Sequence, residues 1–467
     1  PPHKLEAGTE VKLRLQFDNK GAVYKLSPSY SRLARGGWLP FVNFGDMISH
    51  FDLTVKVPSK YETLGVGHKV SEETHDGVSI SHWTSKFPVS FPTIIFGEYL
   101  DAKPSFEAKK SDGTIIPVII HADKYGMQSW DIRPKQLPAI AEAAVNSINL
   151  YSKIYGMDYP FSKLDLVNDP MGSFYGQSPA SIVYLGSGVF RGSGILGTAA
   201  GDQLTKFNDS VVAHEVGHQW WGSLIANLNM RNYWFVESLA EYSAAMFLEA
   251  LRTNEGGPEK GWDAFQDHVA AWRHTVLDSN LWGSVQASDD VNSGARTAAI
   301  YNKGPYAFYM LRMTFGTEKM NAFLKMMAED LEGKEIITRD IQHEAEKAFG
   351  GKMDWFFDQW IRGVGIPEYN VSYSTRRTED QGYLVQGNIK QRVSIGHERK
   401  IIPDLYFRGV GTITVTGRKS GKEYPVRLLV DGPETPFQFK VPEEPLEIEF
   451  NKYGEILAQD VKVNESW

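Results

Sequence analysis

The spacing of apolar positions changes twice along the chain, and the changes divide it into three parts. Up to about residue 105 the period is two. Val11, Leu13, Leu15 and Phe17 alternate with Lys12, Arg14 and Gln16, and Phe51, Leu53, Val55 and Val57 repeat the alternation up to Pro58. Such alternation turns one strand face to a core and the other to water, which predicts a half-buried antiparallel β-domain over 1–105. After Pro134 the spacing becomes helical, with Ile140, Ala144, Val145, Ile148 and Tyr151 on one face and an end near Gly156. Residues 164–167 suit a buried strand. The Gly- and Ser-rich stretch 170–201 carries a strand-like piece at Ile182, Val183 and Tyr184, read as loop and edge strand beside a cleft. Helices resume at about Ser210, capped from Asp209 or Ser210, and recur around Glu237, Lys303, Lys319 and Arg339, so 106–365 reads as mostly helical. After Trp360 the breakers Gly363, Gly365 and Pro367 return the period to two. Phe437, Phe439 and Val441, then Leu446, Ile448 and Phe450, alternate with polar residues around turns such as Asp431-Gly432-Pro433. That spacing predicts a β-sandwich over 366–467, most simply a structural buttress. The fold class expected is therefore multidomain α+β.

The chemistry concentrates in one stretch of the middle part, HEVGHQWWGSLIANLNMRNYWFVESLAE, from His214 to Glu241. On a helix His214 and His218 project from one face, where two imidazoles can share one Zn²⁺, with Glu215 beside them as a general base. A catalytic zinc takes three protein ligands and keeps a position for water. Glu237, with 18 residues between it and His218, suits a third ligand from the next helix. Glu241, one turn on, can accept the other ring N–H of a histidine ligand.

Composition narrows the options without deciding among them. At 467 residues the chain has room for two to four domains. Its 49 Lys and Arg against 57 Asp and Glu, with no basic run, argue against nucleic-acid partners. With no cysteine, zinc ligands must come from His and carboxylates. No run of 18 apolar residues is present to span a bilayer. The start at Pro1-Pro2, without Met or a signal sequence, reads as processed or truncated, which fits a soluble protein exported with its N-terminal region removed; no residue pattern fixes the compartment.

Around the metal motif, Trp220, Trp221 and Gly222, then Trp234, Phe235 and Ala240, resemble the gluzincin metallopeptidases of the alanyl aminopeptidase and leukotriene hydrolase family. Ala34-Arg35 followed by Trp38-Leu39-Pro40, then HFDLTVKVP from His50, look like the second half of that family's N-terminal β-domain, whose first strands would be missing or reduced here. The resemblance implies a thermolysin-like catalytic domain over 106–365, one zinc per chain on His214, His218 and Glu237, and a peptide or protein substrate. It also implies that Tyr301, in Tyr301-Asn302-Lys303-Gly304, is the tyrosine of the family's Tyr-x-Lys-Gly motif, whose hydroxyl stabilises the tetrahedral intermediate.

One part of the family pattern departs. The exopeptidase motif Gly-x-Met-Glu-Asn carries a glutamate that binds the substrate's free α-amine. Here Tyr175, Gly176 and Gln177, followed by Ser178, fall near that position as substrate-binding residues, and the acid has become an amide. No Asp or Glu occurs from 170 to 201, and residues 19–45, where a second anchor is expected, hold no Asp, Glu or Gln. A charge-assisted hydrogen bond to an ammonium is worth about 1.5–3 kcal/mol, so free-amine recognition is expected to be weakened. The action would then be that of an endopeptidase or an atypical aminopeptidase, unless Asp169 or Asp202 folds into the cleft. Two other readings stay open: a non-hydrolytic protein that keeps zinc as a structural element, and a zinc hydrolase of a non-peptide substrate such as an epoxide. Intact Glu215 and Tyr301 argue against the first.

Overall fold

The computed structural model describes residues 10, 12, 14–16, 18–33, 38, 48–85, 87–89, 92–101, 105–128, 136–170, 175–191, 209–278, 283–286, 294–396 and 398–465. The N-terminal region forms two sheets. One has four strands in the order Val23–Lys25, Tyr30–Leu33, Ile94–Gly97, Glu62–Gly65; the other has three, with Val78–Thr84 between Asp52–Pro58 and His68–His75. Asp52–Pro58 alternates as its sequence predicts, Leu53, Val55 and Val57 being less exposed than their polar neighbours. The strand expected over 11–17 is not found at residues 12 and 14–16, which lie outside any strand, and Leu15 is 58% exposed. Val11, Leu13 and Phe17 lie outside the described residues, as do Ala34, Arg35, Leu39 and Pro40. Alternation over seven residues cannot supply the partner strand that a half-buried face requires.

The middle of the chain is built on a five-stranded sheet. In order it runs Gly176–Gln177, Ile182–Gly186, Leu164–Asp169, Ile115–His121, Ser105–Lys109. Its three inner strands are parallel and its two edges antiparallel. All six residues of Leu164–Asp169 are buried, which explains an apolar run with little alternation. The helix Leu137–Tyr155, with proline in its first turn, packs its buried face of Ile140, Ala144, Ile148 and Tyr151 toward this core. A helix over residues 209–217, the long helix Trp234–Gly256 and the helices Pro258–Asp278, Gly304–Phe315, Thr317–Asp330 and Thr338–Phe349 complete this part. Asp209 already lies inside its helix, so it does not cap it.

Aromatic residues join these layers beneath the metal motif. Trp220 and Trp221, wholly buried, pack edge-on to Tyr155, with ring centroids 5.5 and 4.9 Å apart. Tyr151 Oη donates to Ala213 O at 3.0 Å, and Tyr155 Oη lies 2.6 Å from Ser243 Oγ. One helix thus fixes the two that carry the candidate ligands, because buried Tyr hydroxyls need partners and find them there.

After residue 365 two sheets face one another. Ile366–Arg377 and Tyr383–Ile395 pair over twelve positions and are flanked by Lys400–Ile402, Glu434–Val441 and Asp460–Glu465; the second sheet has Gly409–Gly417 between Glu423–Val430 and Pro445–Phe450. Tyr306 Oη and Tyr309 Oη each donate, at 2.6 Å, to carbonyls of Gly454 and Tyr453. The sheets therefore brace the Gly304–Phe315 helix, which begins three residues after Tyr301. An α+β architecture, with β-rich ends around a helical middle, is thus what this chain adopts.

Candidate metal centre and cleft

His214 and Glu215 lie in the 209–217 helix and His218 in the turn that follows; the His218 amide still bonds back to His214 O. Helical spacing brings the two Nε2 atoms to 3.0 Å. Glu237 enters from the first turn of Trp234–Gly256, its Oε2 3.3 Å from His214 Nε2 and 3.2 Å from His218 Nε2. An ion held tetrahedrally at about 2.05 Å separates its ligand atoms by about 3.3 Å, which the three edges approach. Among the described residues, these three form the group of His and carboxylate side chains with metal-binding spacing.

The remaining atoms of the ligands are committed. His218 Nδ1 faces Trp221 O at 3.0 Å. His214 Nδ1 is 3.1 Å from Glu241 Oε1, off the line of a good hydrogen bond. Both rings thus turn Nε2 toward the shared point. Tyr233 Oη donates to Glu237 Oε1, leaving the buried Oε2 without a hydrogen bond of its own. Burial would push the Glu237 carboxyl up, but the His218 and His214 imidazoles hold it well below the usual range. Burial likewise disfavours a charged His214, and its contacts with Glu237 and Glu241 outweigh that and raise it. The pocket therefore favours positive charge at the point where the three atoms meet. An orphaned carboxylate oxygen and two aligned imidazole nitrogens fit a divalent cation such as zinc.

Glu215 and Tyr301 face the same cleft, of about 690 Å³, which Tyr175, Gly176, His214 and Glu241 also line. Burial raises the Glu215 carboxyl, with His214 and His218 opposing, and its Oε2 has no hydrogen-bond partner among the described residues. The Tyr301 ring stacks on His214, centroids 5.9 Å apart and planes at 17°. Burial first, then the Glu237 charge, push its phenol well above the ordinary value, so it stays protonated. Tyr301 sits in one π-helical turn, Ala299–Lys303, a local widening often found at functional sites. Ser238 Oγ donates to Ile300 O at 2.7 Å, and a Cβ on Gly304 would lie 1.8 Å from that same Oγ. Glycine there lets the tyrosine-bearing turn approach the Glu237 helix.

The edge strand Gly176–Gln177 runs against the metal helix. A Cβ on Gly176 would stand 2.3 Å from Glu215 Oε1, so the strand backbone forms the wall against which Glu215 rests. Gln177 is paired with Tyr184 across the strands, and its Oε1 accepts from Tyr184 Oη at 2.9 Å. It does not line the cleft with Tyr175 and Gly176. Asp169 is fully buried and pairs with Arg32 at 3.3 Å, its carboxylate spent within the core. Asp202 lies outside the described residues.

Two contributors escape a reading of the sequence. Tyr233, one helical turn before Glu237, sets that carboxylate. Gln219, directly after His218, accepts from Ser181 N at 2.8 Å and Tyr159 Oη at 3.1 Å and donates to Pro179 O and Ser178 Oγ, tying the loop after Gln177 to the metal helix. The i−4 spacing of Tyr233 was a usable signal; nothing in the sequence signalled Gln219.

Residues 140–360 match the model named "Peptidase family M1 domain". The chain is 23% identical to Aminopeptidase M1-B of Oryza sativa subsp. japonica over 68% of its length and 34% of that protein. It is 22% identical to a Leucyl aminopeptidase of Saccharolobus solfataricus over 79% of its length and 45% of that protein. A solved structure, Legionella pneumophila aminopeptidase A in complex with aspartic acid, superposes with a TM-score of 0.72 at 16% identity, covering 96% of this chain and 49% of that one. The chain thus spans between about a third and a half of the length of these proteins.

Proposed function

We propose that the chain, whose residues 140–360 match the peptidase family M1 domain, is a zinc-dependent peptidase of that family whose recognition of a free α-amine is weak. The observation that carries the reading is the convergence of His214 Nε2, His218 Nε2 and Glu237 Oε2 beside a cleft that Glu215 and Tyr301 share. His214, His218 and Glu237 would hold one zinc. When bound, it polarises the scissile carbonyl and makes water a stronger nucleophile near neutral pH.

The residues supply the rest. Glu215 removes the proton of the attacking water and returns it to the departing amine, a role its unpartnered Oε2 and elevated proton affinity suit. Tyr301 donates its hydroxyl to the oxygen that becomes negative in the transition state. The Trp221 carbonyl keeps His218 in the tautomer with Nε2 bare, Glu241 lies beside His214 Nδ1, and Tyr233 holds Glu237. Tyr175 and Gly176 border the substrate's path, and the Gly176 backbone limits where Glu215 can swing. Division into 1–105, 106–365 and 366–467 fits this assignment, with the last part bracing the Tyr301 helix.

Weak amine recognition follows from what surrounds Gln177. An amide oxygen already accepting from Tyr184 Oη offers an ammonium no full charge, and Asp169 is bound to Arg32. Ammonium left without a counter-charge in a buried site costs several kcal/mol. Acetylating a peptide's N-terminus should therefore change kcat/KM by less than tenfold, about 1.4 kcal/mol; strict dependence on a free amine would place an anchor elsewhere. Glu215→Gln tests the catalytic assignment: zinc stoichiometry stays near one per chain while turnover falls by about two to four orders of magnitude. Absence of zinc from the native protein would end the proposal.

A further inference from the structure

A second cavity, of about 700 Å³, opens where the chain enters the Glu237 helix, between residues 229–232 and the Thr338–Phe349 helix. No residue lining it lines the cleft at Glu215. Its wall is rich in charge, and the carboxylates there are already engaged. Glu346 is bound to Lys352 at 3.2 Å, to the Met353 amide at 3.1 Å and to Gln342 at 3.3 Å. Asp354 accepts from Gln342 Nε2 at 2.8 Å, and Gln342 Oε1 accepts from Arg362, whose other arm holds Asp358. At the floor, Asn232 Oδ1 accepts from the Thr338 amide and hydroxyl at 2.9 and 3.0 Å. Arg231 and Arg339, both exposed on this wall, have no ion-pair partner among the described residues. Arg231, Arg339, Lys352 and Arg362 outnumber the carboxylates Glu346 and Asp354 on this wall, so its net charge is positive, while Asp340 in the first turn of Thr338–Phe349 offsets the positive end of that helix's dipole.

We infer that this cavity binds carboxylate groups of a peptide, holding an acidic stretch of substrate through Arg231 and Arg339. Planar guanidinium groups match carboxylates with two parallel hydrogen bonds, and a concave wall of uncompensated charge concentrates anions near it. The assignment to peptide rests on the peptidase reading; the anion preference does not.

The test is a binding titration with zinc-loaded full-length Glu215→Gln protein, in which turnover plays no part. A fluorescein-labelled peptide with four glutamates is compared with its glutamine counterpart by anisotropy. The glutamate peptide should bind at least tenfold tighter, weaken as salt is raised, and lose that advantage in R231Q/R339Q on the same background. Both arginines are exposed, so thermal melting should not change. Equal affinity of the two peptides, or an advantage that survives R231Q/R339Q, overturns the inference. Competition by inorganic phosphate at concentrations where free glutamate peptide is ineffective also overturns it, since the site would then suit small anions. If wild-type protein cleaves no peptide while the titration behaves as expected, the peptidase reading fails and the anion site stands.

Discussion

Gly176→Ala separates the placement of Glu215 from everything else at the centre. The added Cβ would stand 2.3, 2.4 and 2.4 Å from Glu215 Oε1, Cδ and Cγ, whereas ordinary contact begins at 3.4 Å. The shortfall is about 1 Å, and the atoms that must give way are the end of one flexible side chain, so the fold should tolerate the change with a small shift in melting temperature. The metal ligands are untouched, and zinc should remain at one per chain. A displacement on the order of 1 Å at a reacting group costs roughly a hundredfold, so kcat/KM on a chromogenic peptide should fall by about that factor. Placed on a Glu215→Gln background, the same substitution should cost little more, because the group it displaces is already disabled. Activity within threefold of wild type, or an undiminished hundredfold loss on the Glu215→Gln background, would refute the idea that Gly176 acts through Glu215.

Tyr301→Phe should keep zinc and fold but lower kcat by about a hundredfold or more, the scale of removing one oxyanion donor; an unchanged kcat in stopped assays would remove Tyr301 from the mechanism. Burial pushes the Asp209 carboxyl up to about 6, with Arg252 opposing and Glu255 adding to it. Since the folded protein then binds this proton more tightly than the unfolded chain, whose carboxyl titrates near about 3.9, Asp209 favours folding most below pH 4 and loses that contribution as pH rises through about 6. Urea midpoints of wild type and Asp209→Asn should therefore diverge between pH 4 and 7, and a difference that does not vary with pH would contradict the shift.

How much of this was legible in the sequence depends on the kind of contact involved. His214, His218 and Glu237 could be read because helical spacing alone puts two imidazoles on one face and leaves length for a second helix to return. The Leu137–Tyr155 helix and the buried Leu164–Asp169 strand followed from period and run length. Contacts made across space left no such trace. Gly176 against Glu215, Ser238 against Gly304 and Gln219 against the 178–181 loop join elements tens of residues apart. At Gln177 the residue type was informative, whereas its Tyr184 partner required the strand register Gly176↔Leu185 and Gln177↔Tyr184. Alternation at 11–17 shows the converse: a local pattern has no consequence without a neighbouring strand to pair with.

The geometry also separates the candidate metal site from the sheet edge at Gln177. The candidate metal ligands, with Glu215 and Tyr301, sit beneath the cleft and are fixed by buried contacts: Tyr155 to Ser243, Ser238 to Ile300 and Tyr233 to Glu237. At the sheet edge Gln177 and Tyr184 face one another, and Arg32 lies 4.8 Å over the Tyr184 ring while pairing with Asp169. Because Gln177 does not line the cleft, Gln177→Glu should leave zinc content and the rates on both acetylated and free N-terminal peptides nearly constant. A Gln177→Glu protein that loses metal, or slows equally on both peptides, would show that the sheet edge and the metal helices are coupled rather than separable.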